Sequence, residues 1–328
     1  MTTGPAAPYR APAWLPGGHL QTLYPPLFAR RPCVAYRRER WDTPDGDFID
    51  LDWLQDSGLR IQDSANPLMV LFHGLEGSSS SHYATALMAA TRAAGWRGVV
   101  IHFRGCSGEI NRLRRAYHSG DSAEIDWILR RLRRLNGAAP LYAAGVSLGG
   151  NALLKWLGEQ RTAALEVVAA AAAVSAPVDL MAAGNALDAG FNLIYTRNFL
   201  VTMKRKALAK LAAYPNLCDR RLMLASRTLR AFDNVVTAPL HGYRDTDDYW
   251  TNASSKPLLS HIAVPTLMIN ARNDPFLPAA ALPHRDEVSD AVTLEFPATG
   301  GHVGFAGGSF PGHLDWLPQR VIGFFIGP

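Results

Sequence analysis

The sequence predicts an α/β fold in which a mostly parallel central sheet carries helices on both faces and is interrupted by an inserted helical cap. Three observations carry this expectation. Short apolar runs at 68–72, 98–103, 141–145 and 167–174 alternate with helical stretches at 82–94, 122–135 and 148–159, the rhythm of βαβ units whose strands are buried on both sides. Between about residues 177 and 257 that rhythm stops and the text turns helical, before strands resume at 264–270 and 292–296 and a helix closes the chain at 314–325. Of the 328 residues, 48% are hydrophobic and 19% charged, a balance that suits one large buried core and excludes a disordered or fibrous chain.

Residues 1–36, rich in Pro and Gly at their start, read as an irregular arm that wraps the body. Alternating runs at 37–42 and 48–54 flank Pro44, Asp45 and Gly46, a turn signal, and predict an antiparallel hairpin at the sheet edge. The expected division is therefore an arm over 1–36, a core over 37–177 and 258–328, and a helical cap over 178–257.

The formal charge of +5 comes from 33 basic and 28 acidic residues. Runs such as Arg112, Arg114, Arg115 and Arg130, Arg131, Arg133, Arg134 read as solvated helix faces. No basic stripe with interleaved aromatic residues occurs, so no nucleic-acid partner is expected. Cys33, Cys106 and Cys218 are too few and too far apart for a disulfide framework or a CxxC site. Ligand spacings such as H-E-x-x-H are also missing, so neither a metal nor another cofactor is expected. Residues 1–10 lack a charged start followed by an apolar run, and no stretch reaches the ~18 apolar residues of a transmembrane segment. The expected location is the cytoplasm.

Chemistry enters at Gly145, Val146, Ser147, Leu148, Gly149. This G-x-S-x-G follows an apolar strand and opens a helix, the setting of a nucleophile elbow, in which a tight turn exposes the serine hydroxyl above the sheet. Side chains at 145 and 149 would collide with neighbouring backbone in so sharp a turn. The helix N-terminus beside the serine favours negative charge developing nearby. The fold class thus narrows to the α/β-hydrolase fold.

A serine hydroxyl is a weak nucleophile at neutral pH and needs an imidazole to take its proton and a carboxylate to hold that imidazole. In this fold the partners follow in the order Ser, acid, His. Of the histidines after Ser147, His241 and His261 precede the best acid, His284 reads as helical, and His313 falls at the start of the last helix. His302 follows the strand at 292–296 through Pro297, Ala298, Thr299, Gly300 and Gly301, a loop at the carboxyl end of the sheet where catalytic groups gather. Asp274 lies just past the strand at 264–270, at the same end, with Asp179 as the rival acid. The expected catalytic set is Ser147, Asp274 and His302.

Acyl transfer also needs preorganised donors for a tetrahedral oxyanion. The backbone N–H of Leu148 is one. The other is expected from the loop His73, Gly74, Leu75, Glu76, Gly77, with Leu75 as donor and His73 as a structural residue. In the cap, Met203, Lys204, Arg205, Lys206 and Lys210 lie among Phe199, Leu200, Val201, Leu208 and Leu211. That stretch reads first as a helix packed on the core, and second as a weak membrane-surface contact.

Taken together these residues resemble the YheT-like branch of α/β-hydrolases, which is related to animal lipid-hydrolysing members of the fold. The likeness runs through Gly18, His19, Leu20, Gln21, Thr22; through His73 to the glycine at 77; through Phe103, Arg104, Gly105, Cys106, Ser107, Gly108, Glu109; and through Tyr117, His118, Ser119, Gly120. It continues in the Ser147 elbow, in Phe232, Asp233, Thr237, Ala238, Pro239, Leu240, Gly242, Tyr249 and Trp250, and in Asn273, Asp274, Pro275, Gly301 and His302. The resemblance implies esterase or acylglycerol-lipase activity with the triad already named. The expected partner is a small-molecule ester or lipid, of short to medium acyl chain, cleaved through an acyl-enzyme on Ser147. The same triad would serve an acyltransferase or thioesterase; a non-catalytic binding protein is the reading from another class.

Overall fold

The computed structural model describes residues 8–55 and 66–327; the first seven residues of the expected arm therefore lie outside the described residues. Eight strands form one sheet: β1 (Tyr36–Asp42), β2 (Phe48–Leu54), β3 (Leu68–Phe72), β4 (Arg97–His102), β5 (Leu141–Val146), β6 (Ala170–Val174), β7 (Thr266–Ile269) and β8 (Val292–Glu295). Their order across the sheet is β1-β2-β4-β3-β5-β6-β7-β8. Only β2 runs antiparallel to its neighbours β1 and β4; every other pairing is parallel.

The helices are α1 (Gly18–Phe28), α2 (His82–Ala93), α3 (Ser122–Asn136), α4 (Leu148–Gln160), α5 (Leu180–Leu187), α6 (Leu193–Ala213), α7 (Arg220–Ala225), α8 (Leu229–Phe232), α9 (Ala238–Leu240), α10 (Thr246–Ala253) and α11 (Trp316–Ile326). Along β3, Leu68, Val70 and Phe72 enter one apolar cluster and Met69 and Leu71 another. That is the period-2 alternation of a strand covered on both faces. Ile128 and Leu132 of α3 and Leu153 and Trp156 of α4 complete the first cluster. Leu87 and Met88 of α2 with Val321 and Phe325 of α11 complete the second.

The edge hairpin owes its register to charge as well as to its turn. Arg38 stands opposite Asp52 and Arg40 opposite Asp50, and each guanidinium binds its carboxylate through two hydrogen bonds of 2.8 and 2.9 Å. Burial would raise the Asp52 carboxyl, yet hydrogen bonds from Arg38, His102 and Ser79 outweigh it and hold Asp52 well below the usual carboxylate range.

Between β6 and β7 the described chain contributes no strand to the sheet. Instead α5 to α10 build their own apolar cluster, with Leu200, Met223, Phe232 and Trp250 meeting Phe276 from the loop after β7.

Three local expectations need correction. The arm is not irregular throughout, because α1 forms within it even though Pro25 and Pro26 lie in its last turns. Both prolines are near the C-terminal end, and tertiary packing of Gln21 and Thr22 holds the helix where propensity does not. The alanine-rich strand is shorter than the apolar run, since Val167 and Val168 close a 3-10 turn (Arg161–Glu166) through Ala164 O. His284 precedes a short 3-10 turn (Arg285–Glu287) and is not in a longer helix.

Candidate active site

β5 ends and α4 begins at Ser147, whose backbone sits at φ 52°, ψ −121°. A non-glycine residue held there costs about 1–3 kcal/mol and needs surrounding structure to impose it. The glycines on either side make the turn sterically feasible. A Cβ on Gly145 would come within 2.5 Å of Gly149 O, and one on Gly149 within 2.5 Å of Phe72 O. Neither position accepts a side chain. Ser147 N–H donates to Val174 O at 2.8 Å, tying the elbow to the end of β6.

The loops after β7 and β8 converge on this turn. His302 Nε2 lies 3.0 Å from Ser147 Oγ, and His302 Nδ1 lies 2.9 Å from Asp274 Oδ2. The other carboxylate oxygen, Oδ1, accepts the Phe276 N–H at 2.8 Å. An ionised carboxylate only accepts, so Nδ1 carries the proton and Nε2 is free to accept from the serine hydroxyl. The Phe276 ring stacks on the imidazole with centroids 4.0 Å apart, which restricts rotation of His302. The rival acid Asp179 is occupied elsewhere, capping α5 by accepting the Ala182 N–H at 2.9 Å.

Helix α1 braces both loops. Gln21 Oε1 accepts from Asn273 Nδ2 at 2.9 Å and from Gly300 N–H at 2.8 Å, and its amide donates to Leu15 O at 2.8 Å. Thr22 Oγ1 accepts the His302 N–H at 2.9 Å. Contact is close: a Cβ on Gly18 would stand 2.0 Å from Asn273 O, and one on Gly304 2.1 Å from Gln21 O. Gln21 is 1% exposed, so Gln21→Ala leaves the buried Gly300 N–H and the half-buried Asn273 amide without their acceptor. The expected result is a loss of about 1–3 kcal/mol of stability and, because the two loops then drift relative to each other, a kcat reduced about 10- to 100-fold. Thermal melting and steady-state ester kinetics check both.

The loop after β3 faces the elbow from the other side. His73 is fully buried; its Nδ1–H donates to Gly74 O at 2.7 Å and its Nε2 accepts the Phe103 N–H at 3.2 Å. Burial pushes its pKa down to about 3, so it stays neutral and acts as a strut. Gly74 N–H donates to Tyr83 Oη at 2.8 Å, Glu76 N–H to Tyr117 Oη at 2.9 Å, and Gly77 N–H to Gly74 O at 2.9 Å. Leu75 lies between these committed amides, and it lines the same cavity as Ser147, Leu148 and His302.

Comparison with known proteins places the chain in a family. The alpha/beta hydrolase fold family matches residues 67–308. YheT of Escherichia coli is 43% identical over 305 residues, covering 92% of this chain and 88% of that protein. The chain belongs to the α/β-hydrolases, in the YheT-like branch. Phospholipase ABHD3 of Mus musculus is a more distant relative of this α/β-hydrolase, 31% identical over 97% of this chain and 78% of its own length. Among solved structures, Est1E from Butyrivibrio proteoclasticus with ferulic acid bound has a TM-score of 0.56 at 13% identity, covering 88% of this chain and 98% of that one, a likeness of fold alone.

Within this α/β-hydrolase the cavity above Ser147 is walled chiefly by the helical segment. Leu180, Leu187, Phe199, Met203, Phe232 and Trp250 line it, with Phe276 beside His302. Two of the lysines of α6 reach loops of the core. Lys206 Nζ reaches Glu76 Oε1 at 2.8 Å, Lys210 Nζ donates to the carbonyls of Leu113 and Arg115, and Lys204 Nζ donates to Leu224 O at 2.8 Å. Burial also pushes the Cys106 thiol up to about 11, which keeps it protonated and a poor nucleophile. Among the described residues, no helix is long and apolar enough to cross a membrane.

Sequence reading missed two supports of the site. One is Gln21 with Thr22, named in the family resemblance but given no role because their segment reads as irregular. The other is Asn151, fully buried in the first turns of α4. Its amide donates to Ser119 O and Ala253 O, both at 2.9 Å, and its oxygen accepts the Ser255 N–H at 3.0 Å. A signal for Asn151 does exist, since a short polar amide inside an otherwise apolar helix start invites a search for its partners.

Proposed function

We propose that this chain hydrolyses carboxylic esters through an acyl-enzyme on Ser147, with His302 as base and then acid, Asp274 holding His302, and the N–H groups of Leu75 and Leu148 receiving the oxyanion. The observation that carries this reading is the unbroken hydrogen-bond relay Asp274–His302–Ser147, at 2.9 and 3.0 Å, at the foot of an apolar cavity.

Ser147 Oγ attacks the carbonyl carbon while its proton passes to His302 Nε2. The tetrahedral intermediate collapses as the ester C–O bond breaks, and the leaving alcohol takes the proton from His302. Water then attacks the acyl-enzyme, gives its proton to His302, and the carboxylic acid departs as Ser147 recovers its hydrogen. The apolar lining suits the acyl group of an ester or an acylglycerol, of short to medium chain on this reading, and the esterase and phospholipase names of the relatives agree with ester cleavage in general. On this reading residues 178–257 serve as a cap over a core made of 37–177 and 258–328. An acyltransferase or thioesterase would use the same groups and differ in leaving group and acceptor.

A fluorophosphonate probe is expected to label Ser147, located by peptide mass spectrometry. Nitrophenyl esters from acetyl to lauroyl are expected to give the highest kcat/KM between butyryl and octanoyl, with no transferred product when glycerol is added. Label on another residue, or none, would sink the reading; glyceryl ester as main product would turn it to acyl transfer.

A further inference from the structure

Glu76 immediately follows Leu75 and has φ 55°, in the left-handed region that a non-glycine residue avoids. Something must hold it there. Tyr117 closes a small ring with it: the Glu76 N–H donates to Tyr117 Oη at 2.9 Å, and the phenol donates back to Glu76 Oε1 at 2.7 Å. The Tyr117 ring is itself fixed, stacked on Phe103 with centroids 5.4 Å apart and planes within 3°. The third member comes from the helical segment. Lys206 on α6 donates to the same Glu76 Oε1 at 2.8 Å and to Cys106 Sγ at 3.2 Å. The Lys206 and Glu76 side chains are only 22% and 9% exposed, so solvent screens the pair weakly. Without the cation a nearly buried carboxylate would keep one neutral donor, an arrangement that favours release of Glu76 toward water.

Upstream, Gly74 is pinned by Tyr83 at 2.8 Å. Leu75 thus stands between two anchors, one from the core and one that reaches it from α6.

We propose that Lys206 is a positioning residue of the oxyanion loop: acting through Glu76 and Tyr117, it keeps the Leu75 N–H directed at Ser147, so that seating of the helical segment on the core governs oxyanion stabilisation. The inference rests on the roles proposed above for Ser147 and Leu75. An oxyanion donor gains its strength in the transition state, so its misplacement lowers kcat and leaves KM nearly untouched. A lysine that bound substrate, or one that only stabilised the fold, would not produce that split.

The test compares Lys206→Met, Lys206→Arg and Tyr117→Phe in the full chain, with nitrophenyl butyrate, a neutral ester, as substrate. Lys206→Met is expected to lower kcat about 10- to 100-fold, less than outright loss of an oxyanion donor, with KM within about twofold. Affinity for an alkyl trifluoromethyl ketone, whose adduct carries the oxyanion, is expected to fall in parallel, and Lys206→Arg to recover most of the rate. Tyr117→Phe removes one oxygen and is expected to lower kcat in the same sense, so it carries the test if Lys206→Met fails to fold. Unchanged kcat in Tyr117→Phe and in folded Lys206→Met, or a raised KM at unchanged kcat, overturns the proposal. Wild-type protein that a fluorophosphonate does not label at Ser147 strikes the underlying reading instead; a labelled wild type with unaffected variants strikes this inference alone.

Discussion

Ser147→Ala is expected to lower kcat for nitrophenyl esters by about 10⁴- to 10⁶-fold while the fold stays intact. The physical reason is that the substitution removes the hydroxyl proposed to form the acyl bond and little else. Its side chain makes one polar contact, to His302 Nε2 at 3.0 Å, so the stability change is expected within about 1 kcal/mol. Alanine meets the same backbone strain at φ 52° that serine does, and the elbow glycines are untouched. Residual activity would come from oxyanion donors and substrate binding alone. Kinetics paired with thermal melting and circular dichroism check this: activity retained at the wild-type level in a folded variant removes Ser147 from the chemistry.

Asp274→Asn is expected to cost about 10⁴-fold in kcat, again with the fold retained. The carboxylate divides its two oxygens, Oδ2 accepting from His302 at 2.9 Å and Oδ1 accepting the Phe276 N–H at 2.8 Å. An amide has one acceptor oxygen. Held by the Phe276 N–H, that oxygen leaves the NH₂ facing His302 Nδ1, which must then accept, and the ring proton moves to Nε2. An Nε2 that already carries a proton cannot take one from Ser147. Phe276 still stacks on the ring 4.0 Å away, so geometry persists while the tautomer is wrong. Single-turnover acylation with a nitrophenyl ester measures this step; acylation within about tenfold of wild type, well short of the loss a wrong tautomer brings, would assign Asp274 a merely structural part.

Legibility in the sequence tracks the range of the interactions involved. β3, with its unbroken apolar Leu68 to Phe72, and the β2 run from Phe48 carry their signal in the residues themselves, and the observed strands coincide with the expected spans. The G-x-S-x-G elbow is legible in part for the same reason, because the clash that demands glycine at 145 comes from Gly149 and Gly150, whereas the one at 149 comes from Phe72 and His73 and shows in the sequence only through the motif. Helix α1 is not. Gly18 starts it, no side chain caps it, and two prolines lie inside it; its partners Asn273, Gly300 and His302 are more than 250 residues away. Lys206 is legible only as part of an amphipathic stretch, because helical periodicity says which residues share a face but not what a carboxylate on a distant loop will offer that face.

Sequence alone determined the strands, the helices between them in the core, and the residue types at the carboxyl ends of β5, β7 and β8, since those follow from local periodicity, turn sterics and the chemistry a serine nucleophile requires. Tertiary structure decided which groups meet: that His302 spans Ser147 and Asp274, that α1 braces the loops holding them, and that a lysine from α6 grips the residue beside Leu75. The reason is that a hydrogen bond is selective to within a few tenths of an ångström, and distances that fine between residues far apart in the chain are set by the packing of the whole sheet and its helices.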